Sequence, residues 1–244
     1  MKHFPLFLAT LFFGLSVSAQ DAGTDGTEVS PLTHESELSL VTVDGNSSSE
    51  SYSAKQKTEY KIGPHAFSVT GRYLRTISNH IETARAWNAA ARYEYAFTEF
   101  LGAFISHGAE SDPYNGYVQR DNTDIGGKHF LIKSEPENLY YEAGYRYTKE
   151  QTSVGTITYS GYGRLYTEYN RQIDRTVSLK FWVEYLPNFT TSQAYLLNGE
   201  PSINVMLSRV FSLKTAYLMK YRNQVNPGEK YTDKTFTTSL VARF

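Results

Sequence analysis

The chain has 244 residues and a formal charge of -1, and this length suits one large β domain or two small ones. The near-neutral charge and the isoelectric point of about 6.6 provide no basic excess, which argues against a nucleic-acid partner. The absence of cysteine excludes disulfides and thiol catalysis.

The first residues, MKHFPLFLATLFFGLSVSA, have the composition of a secretory signal peptide. Two basic residues, Lys2 and His3, precede an apolar stretch that ends near Leu15. This stretch is shorter than the roughly 20 apolar residues that a membrane-spanning helix needs. Small residues follow it, and we expect cleavage after Ala19. Residues 1–19 are therefore interpreted as a signal peptide, and the mature protein as exported.

Residues 20–35 predict a flexible periplasmic N-terminus, because QDAGTDGTEVSPLTH is small, polar and without periodicity. From residue 36 to residue 244 a single pattern repeats. Alternating segments of roughly 10–16 residues are separated by clusters of Gly, Pro, Asn, Asp and Glu. No linker interrupts the pattern, and helical spacing does not exceed alternation in any full window. We therefore expect one β domain over 36–244.

The alternation separates an apolar face from a polar one. In the segment 176–185, Val177 and Leu179 alternate with Ser178 and Lys180. The apolar face is aliphatic in the middle of such segments and rich in tyrosine toward their ends, as an interfacial aromatic girdle requires. Strands of soluble proteins usually have about 5–6 residues, whereas a tilted strand that crosses a bilayer needs about 9–11. The mean hydropathy of -0.45 fits such strands, because only alternate residues meet lipid.

The pattern predicts an all-β fold, a single antiparallel transmembrane β-barrel of about 12 strands in an up-and-down meander. Shorter and longer breaks alternate along the chain, and an even strand number places both termini on the periplasmic side. The sheet must close, because lipid cannot hydrogen-bond an open edge. The segments lie near 36–46, 50–62, 66–78, 82–97, 100–111, 118–132, 138–150, 157–170, 175–187, 193–209, 212–223 and 231–244.

The last segment ends on an aromatic residue, Phe244. Leu240, Ala242 and Phe244 share one face of it, and we expect this face to meet lipid. Pairing of this strand with the first segment would close the barrel. The aromatic end of an amphipathic last strand resembles the feature by which outer-membrane barrels are handed to their assembly machinery. Phe244 is therefore the predicted assembly signal.

Four stretches resemble the salt-induced outer membrane protein family, also called domain of unknown function 481. They are ELSLVTVDGNSSSESYSAKQKTEY (37–60), AARYEYAFTEFLGAFISHGAESD (90–112), NLYYEAGYRYTKE (138–150) and YTDKTFTTSLVARF (231–244). Gly45–Asn46 and the EAGYRYTKE stretch carry the resemblance most specifically. It covers roughly 37–244 and implies one barrel in the outer membrane of a Gram-negative bacterium, without an established activity.

Motifs for catalysis or metal binding are weak. Ser106 and His107 are adjacent, so one strand would place them on opposite faces and they could not form a catalytic pair there. The stretch DNTDIGG (121–127) has oxygen ligands but lacks the acidic residue that an EF-hand loop needs. The acidic stretch Glu110–Asp112 is expected in a solvated outer loop. We predict no catalytic residue, no metal site and no cofactor.

Charges predicted to face the lumen are more informative about function than these motifs. Basic residues outnumber acidic ones there about twofold. The first and sixth segments are left out of this comparison, because their faces are ambiguous. The basic residues concentrate on the strands beside the closure seam, and the acidic ones on strands across the barrel. The predicted basic wall consists of Lys55, Lys57, Lys61, Lys214, Lys220, Arg222 and Arg243. The predicted acidic wall consists of Glu142, Glu150, Glu168 and Glu184.

Two interpretations of these charges remain open. The charges could pair across neighbouring strands and fill a closed barrel that supports the envelope. Alternatively, the two walls could face a narrow wet lumen that favours small anionic or zwitterionic solutes. A lipid-modifying enzyme is a third alternative. The partners expected in each case are outer-membrane lipid and the assembly machinery, without nucleic acid, and the barrel is expected to be monomeric.

Overall fold

The computed structural model of the protein describes residues 30–44, 48–225 and 230–244. The predicted signal peptide, its cleavage position at Ala19 and the Gly45–Asn46 pair lie outside these residues. Twelve strands run through the described residues, together with one 3-10 turn at Pro113–Asn115. The strands are β1 (Leu32–Val43), β2 (Ser49–Ile62), β3 (His65–Ser78), β4 (Ile81–Ala96), β5 (Leu101–Asp112), β6 (Tyr117–Lys133), β7 (Glu137–Thr152), β8 (Ile157–Gln172), β9 (Val177–Pro187), β10 (Tyr195–Met206), β11 (Phe211–Arg222) and β12 (Thr232–Arg243).

The strands form one closed barrel in which each strand pairs with its neighbours in the sequence and β12 returns to β1. Every pairing is antiparallel, as in the pairs of β1 with β2 and of β1 with β12. The predicted all-β meander is thereby confirmed. No helix among the described residues is long and apolar enough to cross a membrane. We call the rim that carries the 3-10 turn the loop rim, and the rim where β1 begins and β12 ends the terminal rim.

Strand boundaries differ from the expected ones by a few residues. β1 begins at Leu32, inside the segment expected to be flexible, because Leu32 to Val43 pair continuously with Tyr60 to Ser49 of β2. The loop-rim turns are less uniformly long than expected. Asn79 and His80 alone join β3 to β4, with φ angles of 48° and 66° that place both residues in the left-handed conformation of a tight hairpin.

Alternation along each strand gives the barrel a polar inside and an apolar outside. Outward-facing aliphatic residues such as Val69 and Ile125 leave 59% and 60% of their surfaces exposed. Tyrosines on the same face lie nearer the strand ends, for example Tyr60 and Tyr147. So much contiguous apolar surface is unfavourable in water, whereas it suits the hydrocarbon core of a membrane.

The seam between β1 and β12 is paired over a short length only. The register joins Glu35 through Leu38 to Arg243 through Leu240, all near the terminal rim. Backbone hydrogen bonds between His34 and Phe244, at 2.7 and 3.1 Å, extend this pairing by one residue. By contrast, β1 pairs with β2 along its whole length.

Candidate functional site

A cavity of about 500 Å³ lies inside the barrel. Its wall includes Glu37 and Lys55 on one side, and Asp124, Arg146 and Glu184 on another. Asn115 and Arg222 line it near the loop rim, so the cavity occupies the part of the lumen toward that rim. We call it the chamber.

A network of ion pairs fills the lumen beside β4 to β9. Glu142 is 2% exposed and accepts hydrogen bonds from Arg92 and from Arg164, each at 2.6 Å. Arg164 also donates to Glu184 at 2.8 Å. Arg146 donates to the same Glu184 at 3.1 Å. Every charge in this chain of contacts therefore has an opposite charge within hydrogen-bond distance, as buried charges require.

The Arg146 guanidinium also donates two parallel hydrogen bonds to the Asp124 carboxylate, at 2.7 and 2.8 Å. Such a bidentate pair fixes the orientation of both side chains. We call the ion pairs among Arg92, Asp124, Glu142, Arg146, Arg164 and Glu184 the interior network. It spans strands that are not neighbours, because Arg92 on β4 reaches Glu142 on β7.

Phe104 packs against this network and lies where β6 and β7 approach each other closely. Its ring lies 3.8 Å from the guanidinium carbon of Arg92, a cation–π contact. A Cβ atom on Gly126 would lie 2.9 Å from the ring and 2.6 Å from the carbonyl oxygen of Ala143. Gly126 is therefore required for Phe104 and β7 to approach β6, and the network rests on this packing.

A second, smaller group of charges lies at the seam. Glu37 accepts hydrogen bonds from Lys55 at 3.0 Å and from Lys214 at 2.9 Å. Glu200 lies 3.8 Å from the same Lys214. Lys55 and Lys214, both in the predicted basic wall, are thus neutralised by acids on their own side of the barrel.

Most of the predicted basic wall is paired in the same way. Lys57 and Lys61 share Glu59, at 3.1 and 2.6 Å. Arg243 pairs with Glu35 at 2.6 Å, and Arg222 lies 3.6 Å from Asp233. Lys220 differs from the other six predicted residues, because it has no ion-pair or hydrogen-bond partner in the part of the chain that the structure describes.

The predicted acidic wall is also paired locally. Glu142 and Glu184 belong to the interior network. Glu150 holds Arg120 at 2.6 Å, and Glu168 holds Lys180 at 2.8 Å. The structure therefore places both sets of residues in mixed clusters rather than in two opposed layers of free charge.

The basic excess in the lumen is smaller than expected from the sequence. Glu37, Glu110, Asp124 and Glu200 all line the chamber. Glu37 and Asp124 lie on the two strands whose faces were ambiguous. The expectation that Glu110 lies in an outer loop is wrong, because Glu110 belongs to β5 and pairs with Arg120 at 3.2 Å. The sequence placed the end of this strand in a loop because the turn-forming residues Asp-Pro-Tyr-Asn-Gly come directly after Ser111.

Two cations in the chamber are not neutralised by a bonded partner. Arg72 and Lys220 both line it, and neither has an ion pair or hydrogen bond to another of the described residues. Asn88 and Asn198 line the same cavity and supply neutral hydrogen-bonding groups. An unpaired cation in a confined lumen attracts anions, because the low-dielectric wall focuses its field.

The 3-10 turn narrows the mouth of the chamber. Asp112 accepts a hydrogen bond from the backbone N–H of Asn115 at 3.1 Å and so holds the turn in place. Asn115 in turn lies 3.4 Å from a guanidinium nitrogen of Arg222, on the opposite side of the barrel. The opening is therefore reduced by a polar contact across the lumen.

Small side chains leave space along β3 and β5. The inward-facing residues of β3 include Ala66, Ser68 and Thr70, and those of β5 include Gly102 and Ser106. These positions share the face of Arg72 and Phe104, respectively, by strand alternation. The lumen beside β3 and the loop-rim part of β5, where Thr70 and Ser106 line the chamber, therefore has room for a small solute.

The structure separates or orders the two stretches that were considered for catalysis and metal binding. Ser106 lines the chamber, whereas His107 lies on the outer face and contacts Thr123 at 2.9 Å, as their adjacency in one strand predicts. Residues 121–127 belong to β6 and form no loop. No group of three or more potential metal ligands occurs in the described ranges.

A closed twelve-stranded antiparallel barrel with a polar, charge-filled interior and an apolar exterior defines a protein of the outer-membrane β-barrel class. Residues 36–244 match the family model described as "Protein of unknown function, DUF481", and the chain belongs to that family. The resemblance noted from the sequence is thereby confirmed.

One relative is the uncharacterized protein YdiY of Escherichia coli K12, with 25% identity over 199 residues, which cover 80% of this chain and 77% of YdiY. The COG4313 outer membrane channel from Pseudomonas putida F1 has a TM-score of 0.52 at 14% identity, over 91% of this chain and 99% of that one. The NanC porin has a TM-score of 0.50 at 8% identity, over 87% and 97%. At these identities the two solved structures show the shared fold alone.

Proposed function

We propose that this protein resides in the outer membrane of a Gram-negative bacterium and admits small anionic solutes through its lumen. Its family, its apolar exterior and the signal-peptide composition of residues 1–19 support this location. In this orientation the terminal rim faces the periplasm and the loop rim faces outward.

The observation that carries the anion preference is a pair of cations in the chamber that have no ion-pair or hydrogen-bond partner among the described residues. Arg72 and Lys220 line a cavity whose other charges are held in ion pairs. A small carboxylate or phosphate that entered the mouth would find these two donors without displacing an acidic partner. The neutral amides of Asn88 and Asn198 could bind its remaining polar groups.

A closed barrel that supports the envelope is the second candidate. The interior network favours it, since six buried or half-buried charged side chains fill one side of the lumen with mutual contacts. The small residues of β3 and β5 that line the chamber, such as Thr70 and Ser106, favour a passage instead. Solute flux separates the two functions.

Flux measurements on proteoliposomes test the proposal. Refolded protein should pass a small monocarboxylate faster than a cation of similar size. Arg72→Gln and Lys220→Gln should each reduce this anion preference roughly twofold to fivefold, which corresponds to about 0.5–1 kcal/mol of lost attraction across a wet lumen. Lys57→Gln is the matched control, because Lys57 is half-exposed and already paired with Glu59.

An anion preference that is the same in the Arg72 and Lys220 variants as in the wild type would contradict this assignment. Vesicles that pass neither ion would favour the closed barrel instead.

A further inference from the structure

The seam between β1 and β12 is open in its outer half. Beyond the Leu38–Leu240 pair, Ser39 to Val43 of β1 and Thr232 to Ser239 of β12 form no ladder pairs with each other within the described ranges. Both segments are strands, because β2 and β11 pair with their other edges. The barrel wall therefore has two facing strand edges without mutual pairing between the Leu38–Leu240 pair and the loop rim.

Another wall of the barrel shows how such a gap can be filled. β8 pairs with β9 only from Leu165 to Gln172. Between Leu165 and the loop rim, the β9–β10 connection covers the edge of β8. There Phe189 donates its backbone N–H to the carbonyl of Gly161 at 2.7 Å. Thr190 accepts from the backbone N–H of Gly161 at 2.9 Å. No corresponding bond covers the outer half of the seam in the part of the chain that the structure describes.

Apolar side chains occur on both faces of β1 at the open seam, whereas β12 contributes one outward-facing apolar residue. Leu40 and Phe236 point outward, and each leaves 67% of its surface exposed. Val41 and Val43 lie on the inward face that they share with Glu37, where barrel strands usually carry polar residues. They are 52% and 51% exposed. The unpaired part of β1 thus carries apolar side chains on both faces, while the inward face of β12 beside it carries Thr and Ser.

The chamber lies directly behind this opening. Thr237 and Ser239 of the unpaired part of β12 line it, together with Arg72 and Lys220. A second cavity of about 320 Å³ shares Arg72 and Lys220 and is lined by Asp233, Lys234 and Thr235, also of β12. The free cations and the open seam therefore belong to one connected region of the lumen.

We propose that the open seam is a lateral portal through which a single-chain anionic amphiphile enters the chamber from the surrounding leaflet. The anionic head binds Arg72 and Lys220, and the apolar chain lies between Val41, Val43, Leu40 and Phe236 toward the lipid. Backbone polar groups at an open edge are unfavourable in lipid, so an edge of this kind requires a wet lumen or a ligand behind it. The inference rests on the anion-binding chamber of the proposed function and assigns it a substrate class.

Quenching of Trp182 by bromine tests the portal. Trp182 lines the chamber. The second tryptophan, Trp87, lines the second cavity and is removed by Trp87→Phe, so that all quenching reports on Trp182. The probes are α-bromohexadecanoate, which partitions into vesicles, and bromoacetate, which enters only from water through the mouth. Both carry bromine beside the carboxylate, so each should quench Trp182 when its head binds in the chamber.

Three variants in the Trp87→Phe background locate the route. A bulky maleimide on Val41→Cys should abolish quenching by the long-chain probe and leave quenching by bromoacetate, and the absence of native cysteine makes the labelling specific. The same label on Ile125→Cys, on the outer face away from the seam, is the control and should change neither. Lys220→Gln should raise the half-saturating concentration of both probes about tenfold, the loss of one charged hydrogen bond.

Quenching by bromoacetate alone would overturn the portal and leave the anion-binding chamber intact. The portal is also overturned if long-chain quenching persists in labelled Val41→Cys. Quenching by neither probe would contradict the chamber itself. Brominated phosphatidylcholine reports contact of Trp182 with bulk lipid, and quenching by it equal to that of the acid would exclude head-group binding.

Discussion

Glu142→Ala is expected to lower the free energy of unfolding by about 3–5 kcal/mol, the range for removing one partner of a buried ion pair. Glu142 accepts hydrogen bonds from Arg92 and Arg164 and is nearly inaccessible to solvent. Its loss leaves two guanidinium groups without their shared carboxylate. Urea unfolding of the refolded barrel in detergent micelles measures the effect. The readout is heat-modifiable gel migration, in which the folded barrel runs at a different position from the boiled chain.

Glu150→Ala is the matched control for this substitution. Glu150 also pairs with an arginine, Arg120, but its side chain is 26% exposed near the loop rim. Water can replace part of the lost interaction there, so we expect a cost of about 1 kcal/mol or less. Equal effects of the two substitutions would show that the interior network contributes no more to stability than a surface ion pair.

Deletion of Phe244 is expected to reduce the amount of assembled barrel severely. Among the described residues the seam shows four register pairs and two further backbone hydrogen bonds, and both of the latter involve Phe244. The Phe244 side chain remains exposed, as a residue that contacts lipid or the assembly machinery would be. We propose that assembly depends on this ring as well as on the backbone. The heat-modifiable fraction of the protein in isolated outer membranes is the measurement.

Phe244→Ala separates the two contributions of this residue. It keeps both backbone bonds to His34 and removes the ring. Normal refolding in detergent with poor assembly in cells would be the signature of an assembly signal, whereas equal losses in both settings would indicate that the ring stabilises the barrel itself. A truncated chain that reached the outer membrane at wild-type levels would contradict both roles of Phe244.

Strand positions were predictable from the sequence because they depend on local alternation. Val177, Leu179 and Phe181 alternate with polar residues, and this pattern does not depend on which strands lie beside them. The sequence therefore indicates the strand and its two faces. The closing strand was predictable for the same reason. β1 was harder, since Glu35 and Glu37 share a face with Val41 and Val43, and its alternation does not separate polar from apolar residues.

Side-chain partners across the lumen were not predictable in this way. The contact of Arg92 with Glu142 joins β4 to β7 and depends on how far each side chain reaches into the barrel. The sharing of Glu37 by Lys55 and Lys214 depends on the register at the seam. For this reason the sequence left open whether the charges pair locally or form two opposed walls, while the structure shows mixed clusters and no bonded partner for Arg72 and Lys220 among the described residues. The open half of the seam likewise depends on where pairing ends.

Passage of small anions through the chamber is tested most directly by the reversal potential of the refolded protein in planar bilayers under a salt gradient. We expect a small, discrete conductance whose reversal potential indicates anion preference, and a shift toward zero in the Arg72→Gln/Lys220→Gln double variant. A cation-selective conductance, or no conductance at any salt concentration or voltage, would contradict the claim that the chamber passes small anions.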